Sequence, residues 1–141
     1  MIEIKVRRGE PRQAAAMVPS AHPPRIAVVE DDVPLLGALA FALEAEGWTV
    51  STFARPADAL ERIGPADCLL VDYRLPHMDG LTLVGRLREQ GVAAPAILIT
   101  AKPDEQCRRR ASAAGVAIVE KPLVAEELKQ RIQAALGAPE T

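Results

Sequence analysis

From Arg25 onward the chain alternates short apolar runs, "RIAVV", "WTVSTF", "DCLLV", "PAILIT" and "VAIV", with longer stretches rich in alanine and leucine. This alternation is the feature that most limits the fold. Several of the runs lack the apolar–polar alternation of a half-exposed strand, so they read as strands covered on both faces. Helical patterns between such strands act as right-handed crossovers and place helices on both sides of one parallel sheet. The prediction is an α/β domain with a doubly wound, five-stranded parallel sheet and five helices.

Helix signals fall between the runs. Asp32 can cap a first helix, Pro34 suits its first turn, Leu35, Leu36, Leu39, Ala40 and Leu43 recur at three- and four-residue spacings, and Gly47 ends it. Pro56 opens a second helix that Gly64-Pro65 closes, and further helices are expected over 81–90, 104–113 and 125–136, each stopped by a glycine. Residues 1–24 differ in kind. "MIEIKV" alternates like a short strand, and charges, prolines and small residues follow, so 1–24 reads as an N-terminal extension, 25–137 as the domain and 138–141 as a tail.

Composition narrows the function. A formal charge of -2 with 3% aromatic residues supplies neither a basic field nor stacking platforms, which argues against direct nucleic-acid binding. Cys68, in an apolar run, and Cys107, beside three arginines, match neither a metal spacing nor a disulfide framework, as in a reducing cytoplasm. No apolar stretch approaches the roughly 18 residues that span a bilayer. The expectation is a soluble cytoplasmic protein with no membrane association.

One contradiction stands in "CLLVDYRLPHMDG", where a run that looks fully buried ends on a charge. A lone buried carboxylate costs several kcal/mol or takes up a proton, so Asp72 belongs at the strand's end, paired or bound to metal. The other strands end similarly: the first in Glu30-Asp31-Asp32, the fourth in Thr100, the fifth in Glu120-Lys121-Pro122. In a doubly wound sheet the carboxyl ends of the strands form one rim, where ligands collect. Glu30, Asp31 and Asp72 crowd negative charge there, which suits a hard dication such as Mg²⁺ with oxygen ligands and water. Lys121 supplies an ammonium and Thr100 a hydroxyl. A carboxylate nucleophile beside a metal and a lysine suits phosphoryl transfer.

The four blocks "IAVVEDD", "LLVDYRLPHMDG", "ILITA" and "VEKP", in that order, resemble the signature of the receiver domain of two-component response regulators, over about residues 25–137. The resemblance implies a CheY-like, flavodoxin-like sheet of order 2-1-3-4-5. It implies that Asp72 accepts phosphate from a phosphohistidine on a histidine kinase or phosphotransfer protein. It further implies that Asp31, Asp72 and the backbone carbonyl of Arg74 hold Mg²⁺, with Glu30 acting through water, that Thr100 and Lys121 contact the phosphoryl group, and that the Lys121-Pro122 bond is cis. Only "GAPET" follows Leu136, so the expected output is protein contact or onward phosphoryl transfer by a single-domain regulator and not an enzymatic activity.

Two other readings use the same residues. An aspartyl-phosphate phosphohydrolase generally needs a second acid two residues after the nucleophile, where this chain has Arg74. A phosphate-independent docking module would leave the acid site without a role. Arg74 and Lys102 flank the site, either as surface charges or as groups that obstruct a hydrolytic water. "CRRRA", at 107–111, reads as a solvated helix face, with a partner surface as the alternative. The sequence departs from receivers at Ile118, where these commonly carry a tyrosine or phenylalanine that swings as the threonine moves.

Overall fold

The computed structural model describes residues 22–137. The strand-like start of the extension and the 138–141 tail lie outside the described residues. The strands are β1 (Arg25–Val29), β2 (Thr49–Phe53), β3 (Cys68–Asp72), β4 (Ala96–Thr100) and β5 (Ala117–Glu120). The helices are α1 (Val33–Glu44), α2 (Pro56–Arg62), α3 (Gly80–Glu89), α4 (Glu105–Ala114) and α5 (Ala125–Leu136). All pairings are parallel, in the order β2-β1-β3-β4-β5. Fold class and strand order are those predicted.

Local chemistry explains the element ends. The Asp32 carboxylate accepts from the Leu35 amide and caps α1, Pro56 opens α2, and Gly115 closes α4 in the left-handed region at φ 72. Two caps shift the expected boundaries: Asp79 accepts from Thr82 N, and Asp104 from Cys107 N. Thus α3 starts at Gly80, and α4 runs 105–114 where 104–113 was expected. Asp72 and Thr100 are themselves the last residues of their strands, so the ladder extends one position further than the apolar run of β3.

Two apolar layers cover the sheet. Ile26, Val28, Cys68, Leu70, Ile97, Ile99 and Val119 pack on α1 and α5 through Leu36, Leu39, Leu43, Leu128 and Ile132. The intervening residues Ala27, Val29, Leu69, Val71 and Leu98 face α2, α3 and α4. The two-residue period of the central strands therefore fills both faces, which is why β1, β3 and β4 are apolar apart from Arg25, Asp72 and Thr100 at their ends. The edge strand β2 is partly exposed, with Thr49 and Thr52 open to solvent.

Candidate functional site

The same two-residue period places the charges. Ile26 and Val28 lie opposite Cys68 and Leu70, so one further step along that face brings Glu30 beside Asp72. In β5, Val119 opposes Ile99 on this face, and Lys121 follows two residues on, its amide donating to Thr100 O at 2.8 Å. Glu30, Asp72 and Lys121 thus continue an apolar layer as its polar end. That resolves the contradiction of a buried run ending in a charge.

Lys121 Nζ stands 3.2 Å from Glu30 Oε1 and 3.4 Å from Asp72 Oδ1. Glu30 is 0% exposed and Asp72 4%. Glu30 Oε2 also accepts from the Asp32 amide at 3.0 Å. Its Oε1 contacts Lys121 without hydrogen-bond geometry, so one ammonium balances two buried carboxylates by charge more than by directed bonds. Burial pushes the Glu30 carboxyl up to about 7; the Asp72 charge adds to this, and the Asp32 amide and Lys121 oppose it. Burial likewise raises Asp72 against the pull of Lys121. For Lys121, burial acts downward, but the Asp72 and Glu30 charges outweigh it and raise the ammonium.

Asp31 is exposed, yet Glu30, Asp31 and Asp72 each offer a carboxylate oxygen within 4.8 Å of the other two. Three oxygen donors, two of them buried and undercompensated, fit a hard dication whose solvent side stays open. The Thr100 hydroxyl, in a residue 1% exposed, has no hydrogen-bond partner among the described residues. The Lys121-Pro122 peptide is cis. Glu30, Asp31, Asp72 and Lys121 are brought together, and Thr100 lies one residue past Ile99, the register partner of Asp72. Arg74 and Lys102 both have exposed side chains.

Two features of this rim were not legible in the sequence. Gly80 packs so closely on the carbonyl of Asp72 that a β-carbon there would collide with it, and the Gly80 amide donates to Tyr73 O at 2.8 Å. The "CRRRA" run also divides. Arg108 pairs with Glu120 and Arg109 with Glu105, both at 2.9 Å on the surface, whereas Arg110 turns toward the β3–α3 loop and binds Asp79, Tyr73 and Thr82. The solvated-face reading therefore holds for the first two arginines only. The signal was in the helical phase. Cys107 and Ala111 are buried, and Arg110, three residues after one and next to the other, borders that stripe.

Residues 26–133 match the response regulator receiver domain family, and the chain belongs to it. It is 39% identical over 118 residues to the phosphate regulon transcriptional regulatory protein PhoB of Rhizobium meliloti, covering 80% of this chain and 52% of that protein. The Mycobacterium tuberculosis transcriptional regulatory protein TrcR is 32% identical over 140 residues, 92% of this chain and 54% of that protein. The chain thus spans about half the length of these curated relatives. Among solved structures, the non-phosphorylated HemR receiver domain of Leptospira biflexa superposes with TM-score 0.76 at 26% identity, covering 84% of this chain and 98% of that one. The Thermotoga maritima response regulator TrrA, solved in complex with Mg²⁺-BeF, matches with TM-score 0.71 at 29% identity, over 80% of this chain and 99% of that one. Among the described residues, no helix is long and apolar enough to cross a membrane.

Proposed function

We propose that Asp72 is the phosphoacceptor of this receiver domain and takes its phosphoryl group from a phosphohistidine on a histidine kinase or phosphotransfer protein. The observation that carries this reading is the contact of Lys121 with both Glu30 and Asp72, beside a Thr100 hydroxyl that has no hydrogen-bond partner among the described residues. An Asp72 carboxylate oxygen attacks phosphorus and forms the O–P bond. The P–N bond to imidazole breaks, and the imidazole nitrogen keeps the electron pair and takes a proton. Glu30, Asp31 and Asp72 form an oxygen-donor set that fits Mg²⁺, and we assign the Arg74 backbone carbonyl to the same set. A bound Mg²⁺ supplies charge neutralisation for the transferring phosphoryl group.

The remaining steps belong to the chain. Lys121 exchanges part of its pairing with Asp72 for a phosphoryl oxygen, and the Thr100 hydroxyl gains the acceptor it lacks at rest. Arg74, two residues after Asp72, cannot serve as the acid that a phosphohydrolase needs there. We therefore assign phosphoryl acceptance, slow self-hydrolysis and a protein partner as output. The relatives' extra length means that the output of a whole regulator is not set by this domain. Incubation with a small-molecule phosphodonor and Mg²⁺ should label the wild type and leave Asp72→Asn unlabelled with its fold intact. Labelling of Asp72→Asn at wild-type stoichiometry would overturn the assignment.

A further inference from the structure

The loop between Asp72 and α3 carries the Arg74 carbonyl, and its two ends are held by one side chain from another helix. Arg110, on α4, donates through Nη1 to Tyr73 Oη at 3.1 Å, at the start of the loop. At the loop's end its guanidinium forks onto Asp79, Nη1 to Oδ2 and Nη2 to Oδ1, both at 3.2 Å, and Nη2 reaches Thr82 Oγ1 at 3.4 Å. The Gly80 amide closes the loop on Tyr73 O, and the Arg74 guanidinium lies over the Tyr73 ring, 6.0 Å from its centre. Within the loop, His77 is held at φ 73, a left-handed conformation uncommon for a side-chain-bearing residue, so the loop is not one that the chain adopts without support.

We propose that Arg110 is a positioning residue for the phosphoacceptor site, clamping both ends of the 73–79 loop so that the Arg74 carbonyl and the Asp72 backbone keep the spacing a bound cation requires. The guanidinium suits the task because its planar fork spans the Asp79 carboxylate and the Tyr73 hydroxyl together. A lysine ammonium is a point donor on a flexible stem and cannot hold both in fixed geometry. The clamp also ties α4 to the residue that follows the acceptor. This route needs no aromatic side chain in β5, where the chain has Ile118.

The inference rests on the proposed function for its metal and on the loop geometry alone for its clamp, and the test separates the two. In the full chain, Arg110→Met, Arg110→Lys and Tyr73→Phe are compared with wild type; Asp79 is avoided because it also caps α3. Without metal, amide hydrogen exchange across residues 74–78 should accelerate in Arg110→Met and less in Tyr73→Phe, while exchange in β1 and β4 stays unchanged. Mg²⁺ affinity followed by NMR should fall about tenfold in Arg110→Met, the low end for outer partners of a metal site, and Arg110→Lys should not restore it. A lower melting temperature with unchanged loop exchange and unchanged Mg²⁺ affinity would overturn the clamp. A wild type that binds no Mg²⁺ would overturn the phosphoacceptor reading and the clamp's role toward metal, while the exchange data still decide the loop.

Discussion

Lys121 Nζ lies 3.4 Å from Asp72 Oδ1, and the same ammonium stands 3.2 Å from the Glu30 carboxylate, which otherwise accepts from the Asp32 amide. Without metal, two buried acids share one cation, and desolvation sets the sign of the pH dependence. Glu30 titrates near 7 in the folded protein against 4.5 when unfolded, because burial disfavours its charged form. The native state therefore holds this proton more tightly than the unfolded chain does. The stabilising contribution is complete below 4.5 and is lost as pH rises through about 7.

In EDTA, stability should accordingly fall between pH 4.5 and 7. Glu30→Gln should flatten the slope, and Asp72→Asn should flatten it partly, since Asp72 is raised in the same direction. Urea denaturation at half-unit pH steps measures this. A wild type that gains stability over the window would contradict the placement of both acids. Asp79 acts oppositely: although its burial opposes ionisation, the Thr82 amide and Arg110 hold it low, so its contribution fades only as pH drops below the usual carboxylate range.

Thr100→Val should stabilise the resting protein. The Thr100 hydroxyl is buried without a partner among the described residues, and such a group costs about 1–3 kcal/mol of desolvation that a methyl does not. We expect a gain of ~1 kcal/mol and a melting temperature higher by a few degrees. The same variant should bind beryllofluoride more weakly, because the hydroxyl is the donor a phosphoryl oxygen would use. Loss of stability, or unchanged beryllofluoride binding, would show that Thr100 is satisfied by something else.

The loop after Asp72 should respond oppositely at its two unusual backbone positions. Gly80→Ala drives a β-carbon into the carbonyl of Asp72, so the strand end or α3 must shift, at a cost of about 1–3 kcal/mol. His77→Gly removes the left-handed penalty, worth roughly 1–2 kcal/mol, against an entropic cost of a similar kind, for a net gain under ~1 kcal/mol. Thermal melts of the two variants should move in opposite directions. Melts that move together would refute this account of the loop.

These contrasts mark what could be read from the chain alone. The strands and the residues at their ends were legible because each depends on a short-range regularity: an apolar run, a cap, a polar residue at the run's end; the strand order came from the resemblance of the four blocks to receiver domains. Asp72 and Glu30 are a clear case, since the two-residue period that buries Val28 and Leu70 also fixes the acids that follow them. Arg110 and Gly80 were not legible, because their roles arise where separate elements meet. Nothing near position 110 announces Tyr73, 37 residues earlier, and a glycine after aspartate reads as a turn until the Asp72 carbonyl is seen against it. The buried stripe through Cys107 and Ala111 could have singled out Arg110 from its neighbours, but not what it would touch.

Ile118 sets the last prediction. It sits in the edge strand β5, half-buried opposite Leu98, and packs against the layer that faces α2, α3 and α4. A β-branched aliphatic is stiff at its first torsion and has no polar tip, so it cannot swing between two hydrogen-bonded positions as an aromatic phenol can. A phosphoryl group on Asp72, as proposed, would then have to bias some other element that has two sets of contacts. The nearest candidates are the Ala101–Pro103 loop that follows Thr100 and the start of α4. Beryllofluoride with Mg²⁺ should therefore shift amide resonances at Thr100, at Ala101–Pro103 and in the first turn of α4, and leave the centre of β5 and α5 nearly still. Ile118→Ala should lower stability by about 1 kcal/mol, as expected for truncating a half-buried aliphatic, without altering that pattern. Large shifts centred on Ile118 and spreading through β5 and α5 would show that the strand moves despite its aliphatic side chain, and the restricted response would be wrong.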